Sequence, residues 1–391
     1  MFLFEHDAKA LLEPFGVRIP AGCWVDAAGL VDGVLPAGPL IVKAQVAGGG
    51  RGKAGGVRRA ADAARAMDIA RALQASPLGG LVVAGCRVEQ ALDGAREVYL
   101  SITLDASNAQ VQVLASDQGG VDIECANAAA LVREPAPLDA TSIAEAVRRA
   151  AGRLSPGNRE AVMAAGECLA AAFVALDAQL IEINPLFVLP GTDDAAPRWV
   201  AADAKLITDD NALYRQPAMS ALVERAADRY PEAARKWQHG CDYVVVDPAG
   251  EIALLTTGAG LSMMLIDELR AQDLRPYNFL DVRTGGLRGD PQRLVDVLGW
   301  MREGTQVRVL LVNIFAGITH LGEFSRLLLQ ALDAVPALRV PVVARLAGPG
   351  FDEAVAVLGA RGVKVETDLG HAIASVRMEL ARASAAPGGA T

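Results

Sequence analysis

Six of the nine residues from 48 to 56 are glycine, with Arg51 and Lys53 set between them and Lys43 closing the apolar run before them. Glycine lets backbone N–H groups approach an anion, and three cations neutralise its charge. The stretch therefore suits a hairpin tip that closes over a polyphosphate. The plainer reading is a mobile surface loop, against which stands the mutual repulsion of three cations with no anion to join them. Two common phosphate loops do not fit. A Walker A loop ends Gly-Lys-Ser/Thr, but Ala54 stands where the Mg²⁺-ligating hydroxyl belongs, and Ala47 stands at its first glycine. Gly50, Gly52 and Gly55 spell G-x-G-x-x-G, but no helix opens at the third glycine; "GVRR" continues extended and a helix starts near Ala60.

A second group lies in "LIEINPL". Glu182 and Asn184 are two apart on a strand and face the same way. Asp203 lies on the returning strand of the same hairpin. Mg²⁺ takes a few oxygen ligands from protein and the rest from phosphate and water, so Asn184 and Asp203 could supply such a pair. A buried polar hairpin with mutually bonded side chains is the alternative. A polyphosphate loop elsewhere in the chain adds weight to the metal.

The elements that must position these residues follow from hydrophobic periodicity. The first fifteen residues read as a helix ended by Pro14 and Gly16. Strands are expected at 40–46, 80–92, 96–105 and 109–116, a helix at 60–74, and an Ala-rich helical region at 141–178. Short turns between the strands predict an antiparallel sheet, followed by a hairpin with a long loop over 178–206. From about 241 strands and helices alternate, which predicts a parallel, doubly wound sheet. The polar segment 227–240, containing Pro231, marks the boundary.

The 391 residues suffice for two or three domains, and 52 % hydrophobic content for a sizeable core. A net charge of −9 argues against a non-specific nucleic-acid binder. The five cysteines form no metal spacing and read as small buried hydrophobes in a reducing cytosol. Charge at Glu5 comes too early for a signal peptide, and the apolar run 252–266 is too short and glycine-broken to span a bilayer. The expected location is the cytoplasm, with no membrane partner.

Taken together, "FEHDAKALL", "VKAQVAGGGRGKAGGV", "REVYLS", "LIEINPL", "DAKLITDDNALYRQP", "GAGLSMMLID", "NFLDV" and "VLLVNIFAGI" give the chain a specific likeness. It resembles, nearly end to end, the β subunit of succinyl-CoA synthetase and its relatives, the nucleoside-diphosphate-forming acyl-CoA ligases that include malate–CoA ligase. The resemblance implies an α/β chain with an ATP-grasp domain (1–232) and a flavodoxin-like CoA-ligase domain (239–382), and the small-residue composition of 383–391 predicts a disordered tail. By matching positions it makes Lys43, Gly50, Arg51, Gly52, Glu89, Leu92 and Glu97 nucleotide contacts, and Asn184 and Asp203 the Mg²⁺ ligands. Glu182 resembles the acidic residue near the nucleotide-side phosphohistidine, and Thr257, Gly317, Ile318 and Thr319 match contacts to the carboxylic acid. The implied chemistry passes phosphoryl from ATP or GTP to a histidine, then to the acid as an acyl phosphate, which CoA attacks.

None of His6, His239, His320 and His371 matches the phosphorylated residue, which the family carries on its α subunit. The chain is expected to be half an enzyme, completed by an α subunit with the phosphohistidine and the CoA site, in an α2β2 assembly. His320 could bond an anion near a helix start or be a solvated helix-end residue. Thr257 replaces an asparagine usual before "GAGL", Arg283 and Thr284 stand where the family has glycines, and "AGITHLG" departs from "GGIVRCD" beyond Gly317 and Ile318. These changes spare the nucleotide end and alter the acid end. They suggest an acid other than succinate: malate, another substituted dicarboxylate or a sulfonated acid. Rival functions are a stand-alone ATP-grasp carboxylate–amine ligase and a non-catalytic scaffold subunit.

Overall fold

Helix α1 (Glu5–Leu12) ends in a 3-10 turn closed by Gly16 in the left-handed region, as Pro14 and Gly16 dictate. The computed structural model describes residues 1–120, 131–189, 198–283, 289–317 and 319–385. The chain forms two units, Met1–Leu222 and Val223–Thr391.

In the first unit, β1 (Gly22–Val25), β2 (Val31–Asp32), β3 (Leu40–Gln45), β4 (Val57–Ala60) and β5 (Gly85–Gln90) make an antiparallel sheet in the order β2-β1-β5-β3-β4. Helix α2 (Ala63–Gln74), capped by Asp62, buries Ala66, Ile69 and Leu73 against Leu40, Val42 and Val88 of that sheet. The glycine-rich stretch joins β3 to β4, with Lys43 opposite Val57, so it is a hairpin tip as the sequence suggests.

The second sheet contains β6 (Arg96–Asp105), β7 (Gln110–Ser116), β8 (Val132–Ala136), β9 (Ala178–Leu189), β10 (Arg198–Ala201) and β11 (Lys205–Thr208). Its order is β10-β9-β6-β7-β8, with β11 also paired to β9, antiparallel throughout. The expected helical region is two helices, α3 (Ala140–Gly152) and α4 (Pro156–Ala175), broken at Pro156. They approach so closely that a Cβ on Gly166 would lie 2.2 Å from Val147 Cγ1. The division between units falls within α5 (Pro217–Arg225), and the segment read as a polar boundary folds as α6 (Pro231–His239). Pro231 opens that helix rather than breaking it, because a proline in the first turn loses no hydrogen bond.

In the second unit, β12 (Asp242–Val245), β13 (Ile252–Thr256), α7 (Ala259–Arg270), β14 (Asn278–Asp281), α8 (Gln292–Met301) and β15 (Val309–Phe315) come first. They are followed by α9 (Leu321–Ala334), β16 (Val342–Ala347), α10 (Phe351–Gly359), β17 (Lys364–Glu366) and α11 (Leu369–Ala385). Strands β13-β15-β16-β17 are parallel. Their residues alternate between two cores: Ala253, Leu255, Leu310 and Val312 pack with α8, α9 and α10, whereas Ile252, Leu254, Val309 and Leu311 pack with α7 and α11. The sheet is therefore covered on both faces, as the alternation predicts. Strand β12 departs from that expectation and runs antiparallel to β14. Strand β14 lies beside β13 and is held there by the Asn278 side chain: Oδ1 accepts from Leu254 N at 2.9 Å and Nδ2 donates to Leu254 O at 2.9 Å. Counting β14 beside β13 gives the flavodoxin-like order. The last helix runs into the expected tail, of which residues 386–391 lie outside those described.

Candidate functional site

The hairpin tip and the β9 hairpin of the first unit face one cavity of about 810 Å³. Gly49, Gly50, Arg51, Gly52 and Lys53 form one wall; Glu182, Asn184 and Asp203 form another. A Cβ on Gly49, Gly50 or Gly52 would meet nothing within 4 Å, so backbone amides there are open to a ligand. Gly50 and Gly55 hold left-handed φ of 78°, which keeps the tip compact.

Glu182 and Asn184 share a face of β9, opposite the buried Ile181 and Ile183. A bulge places Asn184 and Pro185 against the single residue Tyr99 of β6, which interrupts the regular pairing at the cavity. Asn184 Oδ1 accepts a hydrogen bond from Gly120 N at 2.7 Å. Asp203 lies in the break between β10 and β11 rather than on a strand; its Oδ1 accepts from Ala204 N and from Arg51 Nη2, both at 2.8 Å. The structure thus brings Glu182, Asn184, Asp203, Gly50, Arg51 and Gly52 to one cavity. The donor set, one amide and one carboxylate oxygen beside a glycine-rich loop, fits a hard divalent cation that also binds phosphate.

Lys43 and Glu89 occupy a buried cluster of charges next to this group. Lys43 Nζ lies 2.5 Å from Glu89 Oε1, 3.0 Å from Glu5 Oε1 and 2.5 Å from the carbonyl of Ala202. Lys9 Nζ lies 2.6 Å from Glu5 Oε1 and 2.8 Å from Glu89 Oε2, and Arg87 Nε donates to Glu89 Oε2 at 2.7 Å. Glu5 Oε2 closely contacts Arg51 Nη2. Burial alone would raise the Glu5 carboxyl, but Arg51, Lys43 and Lys9 hold it well below the usual carboxylate range. Burial likewise opposes ionisation of Glu89, yet Lys43 and Lys9 keep its pKa lowered. The anions that join Lys43 and Arg51 are thus the protein's own, which removes the repulsion counted against the plainer reading of the loop.

The other expected nucleotide contacts, Leu92 and Glu97, do not line the cavity. Leu92 is half-buried in the loop after β5. Glu97 is exposed on β6, and its carboxylate abuts Gly120, where an added Cβ would fall 2.0 Å from Oε2. Gly120 itself lines the cavity. Sequence reasoning missed Glu5, Lys9 and Arg87. Their signal was the i,i+4 spacing of Glu5 and Lys9 on the side of α1 that also carries Leu12, and the alternation of Arg87 and Glu89 about the apolar Val88.

In the second unit, Thr257 follows β13, and Gly317 and Thr319 follow β15, its parallel neighbour. All three lie at the carboxyl ends of adjacent strands, where open sheets form their ligand crevice. Gly258 N donates to Asp281 Oδ1 at 2.8 Å at the start of α7. His320 is the residue before α9; its half-exposed ring packs against Gly350, with Nδ1 3.6 Å from Glu353 Oε2. Arg283 Nη2 donates to Asp242 Oδ2 at 2.8 Å. Ile318 and Thr284 lie outside the described residues.

A family model described as an ATP-grasp domain matches residues 2–188, and one described as CoA-ligase matches residues 255–384. The succinate–CoA ligase (ADP-forming) subunit β of Chloroflexus aurantiacus is 35% identical over 369 residues, 92% of this chain and 93% of that protein. The protein of the same name from Ignicoccus hospitalis is 33% identical over 391 residues, 98% of this chain and 100% of that protein. Among solved structures, ATP citrate lyase from Methanothrix soehngenii in complex with citrate and coenzyme A matches with a TM-score of 0.70 at 17% identity, over 97% of this chain and 99% of that one. That likeness shows a shared fold.

Proposed function

The chain belongs to the family of ADP-forming succinate–CoA ligase β subunits, and from that premise we propose that the cavity of the first unit holds the nucleotide and the crevice of the second holds the acid. The chain is an acid–CoA ligase subunit with ATP and CoA as co-substrates, and the family supplies an α subunit as partner. The phosphohistidine and the CoA site belong to that partner, in an α2β2 assembly. The observation that carries the reading is the convergence of Arg51 and the open glycines with Asn184 and Asp203 on one cavity.

Loop amides at Gly50 and Gly52, with Arg51 and Lys53, take the phosphate oxygens. Asn184 and Asp203 would hold Mg²⁺, which when bound neutralises phosphate charge. Glu182 accepts the N–H of the partner's histidine, orienting the other ring nitrogen toward the γ-phosphorus. That nitrogen takes the phosphoryl group as the bond to ADP breaks. The phosphoryl then passes to a carboxylate oxygen of the acid as the P–N bond breaks and frees the histidine; the CoA thiol attacks the acyl carbon, the C–O bond breaks, and phosphate leaves with the thiol's proton. At the acid end, Gly317 and Thr319, which follow β15, meet the carboxylate.

The acid is a dicarboxylate, succinate or a close relative. Thr257 favours a second reading, a hydroxylated acid such as malate, because its hydroxyl stands at the strand end where the family carries an asparagine. Co-expression with the α subunit and a panel of acids tests both. ATP- and CoA-dependent turnover of succinate alone would remove the second reading, and no turnover of any dicarboxylate would remove the first. Loss of turnover in Asp203→Ala is expected, and its full retention would favour a scaffold role.

A further inference from the structure

Asp203 Oδ1 accepts a hydrogen bond from Arg51 Nη2 at 2.8 Å, so the carboxylate assigned to the cation already serves a guanidinium. A divalent cation brought to the same carboxylate would stand beside that positive charge and be repelled by it. Phosphate oxygens would relieve the repulsion by drawing Arg51 toward themselves. Three observations allow Arg51 to make that move. It rides on the loop at which Gly49, Gly50 and Gly52 face open space. Its side chain's other hydrogen bonds go to the carbonyl of Ala44 at 3.3 Å and to the Glu5 carboxylate. Glu5 keeps Lys9 at 2.6 Å and Lys43 at 3.0 Å when Arg51 leaves, so no buried carboxylate is stranded.

We propose that Arg51 makes the site selective for the cation–nucleotide complex over the free cation, by holding Asp203 until phosphate claims the guanidinium. The proposal rests on the reading of Asn184 and Asp203 as the cation's ligands. It predicts opposite effects of one substitution on two ligands, which simple damage to the cavity would not produce.

The test titrates Mn²⁺, followed by its electron paramagnetic resonance signal, into the 391-residue chain with and without ADP. Arg51→Gln is expected to bind Mn²⁺ alone about tenfold or more tightly than the unaltered chain, and to bind ADP in the presence of Mn²⁺ about tenfold or more weakly. In an Asp203→Asn background, Arg51→Gln should no longer change Mn²⁺ affinity. Should Arg51→Gln fail to fold, Arg51→Met, which also removes the charge, serves instead, with both shifts in the same directions. Unchanged or weaker affinity for Mn²⁺ alone, with Asp203-dependent Mn²⁺ binding still seen with ADP, overturns the selectivity and leaves the metal ligands standing. Absence of any Asp203-dependent Mn²⁺ binding overturns both.

Discussion

Lys43 stands directly opposite Arg87 in the β3–β5 register. Two cations in that position repel. Glu89, diagonal to Lys43, resolves the conflict: its Oε1 meets Lys43 at 2.5 Å and its Oε2 meets Arg87 at 2.7 Å. Removing the one carboxylate strands buried cations, whereas removing Lys43 relieves a repulsion and leaves Glu89 with Lys9 and Arg87. Glu89→Gln should therefore cost about 3–5 kcal/mol, and Lys43→Met distinctly less. Urea unfolding, with hydrogen exchange of β3 and β5 as a local readout, checks the ranking; equal losses would contradict it.

The same carboxylates set the acid limb of stability. Glu5 and Glu89 both have folded pKa values below their ordinary ones. The unfolded chain therefore binds protons first, so their contribution is present above the unfolded value of about 4.3 and is lost as pH falls through the folded values. Stability is expected to hold from pH 7 to about 5 and to fall below about 4. Glu89→Gln should flatten that fall. Thermal melts across pH would refute this if the variant and the unaltered chain lost stability in parallel.

Much of the site was legible because its residues obey local rules. Glu182 and Asn184 share a face because a strand alternates, and the hairpin tip follows from glycines between two apolar runs. The burial of the charge cluster was not legible. Lys9 and Glu5 sit within a helix whose sequence looks like an ordinary amphipathic face, and only the tertiary approach of β3 and β5 makes them interior. Strand β12 was misread for a similar reason. Its apolar "YVV" fits either direction, and pairing with β14 decides it.

Two glycines of the hairpin tip should separate binding from folding. A Cβ on Gly52 meets nothing within 4 Å and projects into open space, so Gly52→Ala should melt like the unaltered chain and bind nucleotide more weakly. A Cβ on Gly56 would lie 2.4 Å from Leu78 Cδ2 and 3.0 Å from the Arg51 carbonyl. Gly56→Ala should cost about 1–3 kcal/mol through overpacking. Calorimetric melts and ADP titrations together decide it; a Gly52→Ala protein with full ADP affinity would remove the loop amides from the nucleotide site.

Burial pushes the Cys86 thiol up to about 12 and the Cys241 thiol up to about 11. At pH 8 neither supplies appreciable thiolate, and both are fully enclosed. Iodoacetamide should leave Cys86 and Cys241 unlabelled in the native chain and label them in urea, as read by peptide mass spectrometry. Native labelling of either would show that its core opens on the timescale of the reaction.

Asn278 carries the junction between β14 and β13. Its amide is fully buried and bonds both the N–H and the carbonyl of Leu254, so it takes the place of a ladder rung. Asn278→Leu keeps the volume and apolar character of the core but leaves both backbone groups of Leu254 without that partner. Each such group costs about 1–3 kcal/mol when buried and unsatisfied, so the variant should lose about 2–6 kcal/mol. Asn278→Asp keeps an acceptor for the Leu254 N–H but places a charge or a proton in the interior, and it should fare no better near neutral pH. Because Thr257 follows β13 immediately, the same variants should raise the KM for the acid while leaving the KM for ATP unchanged. A variant with wild-type melting and an unchanged acid KM would show that main-chain contacts alone hold β14 in place.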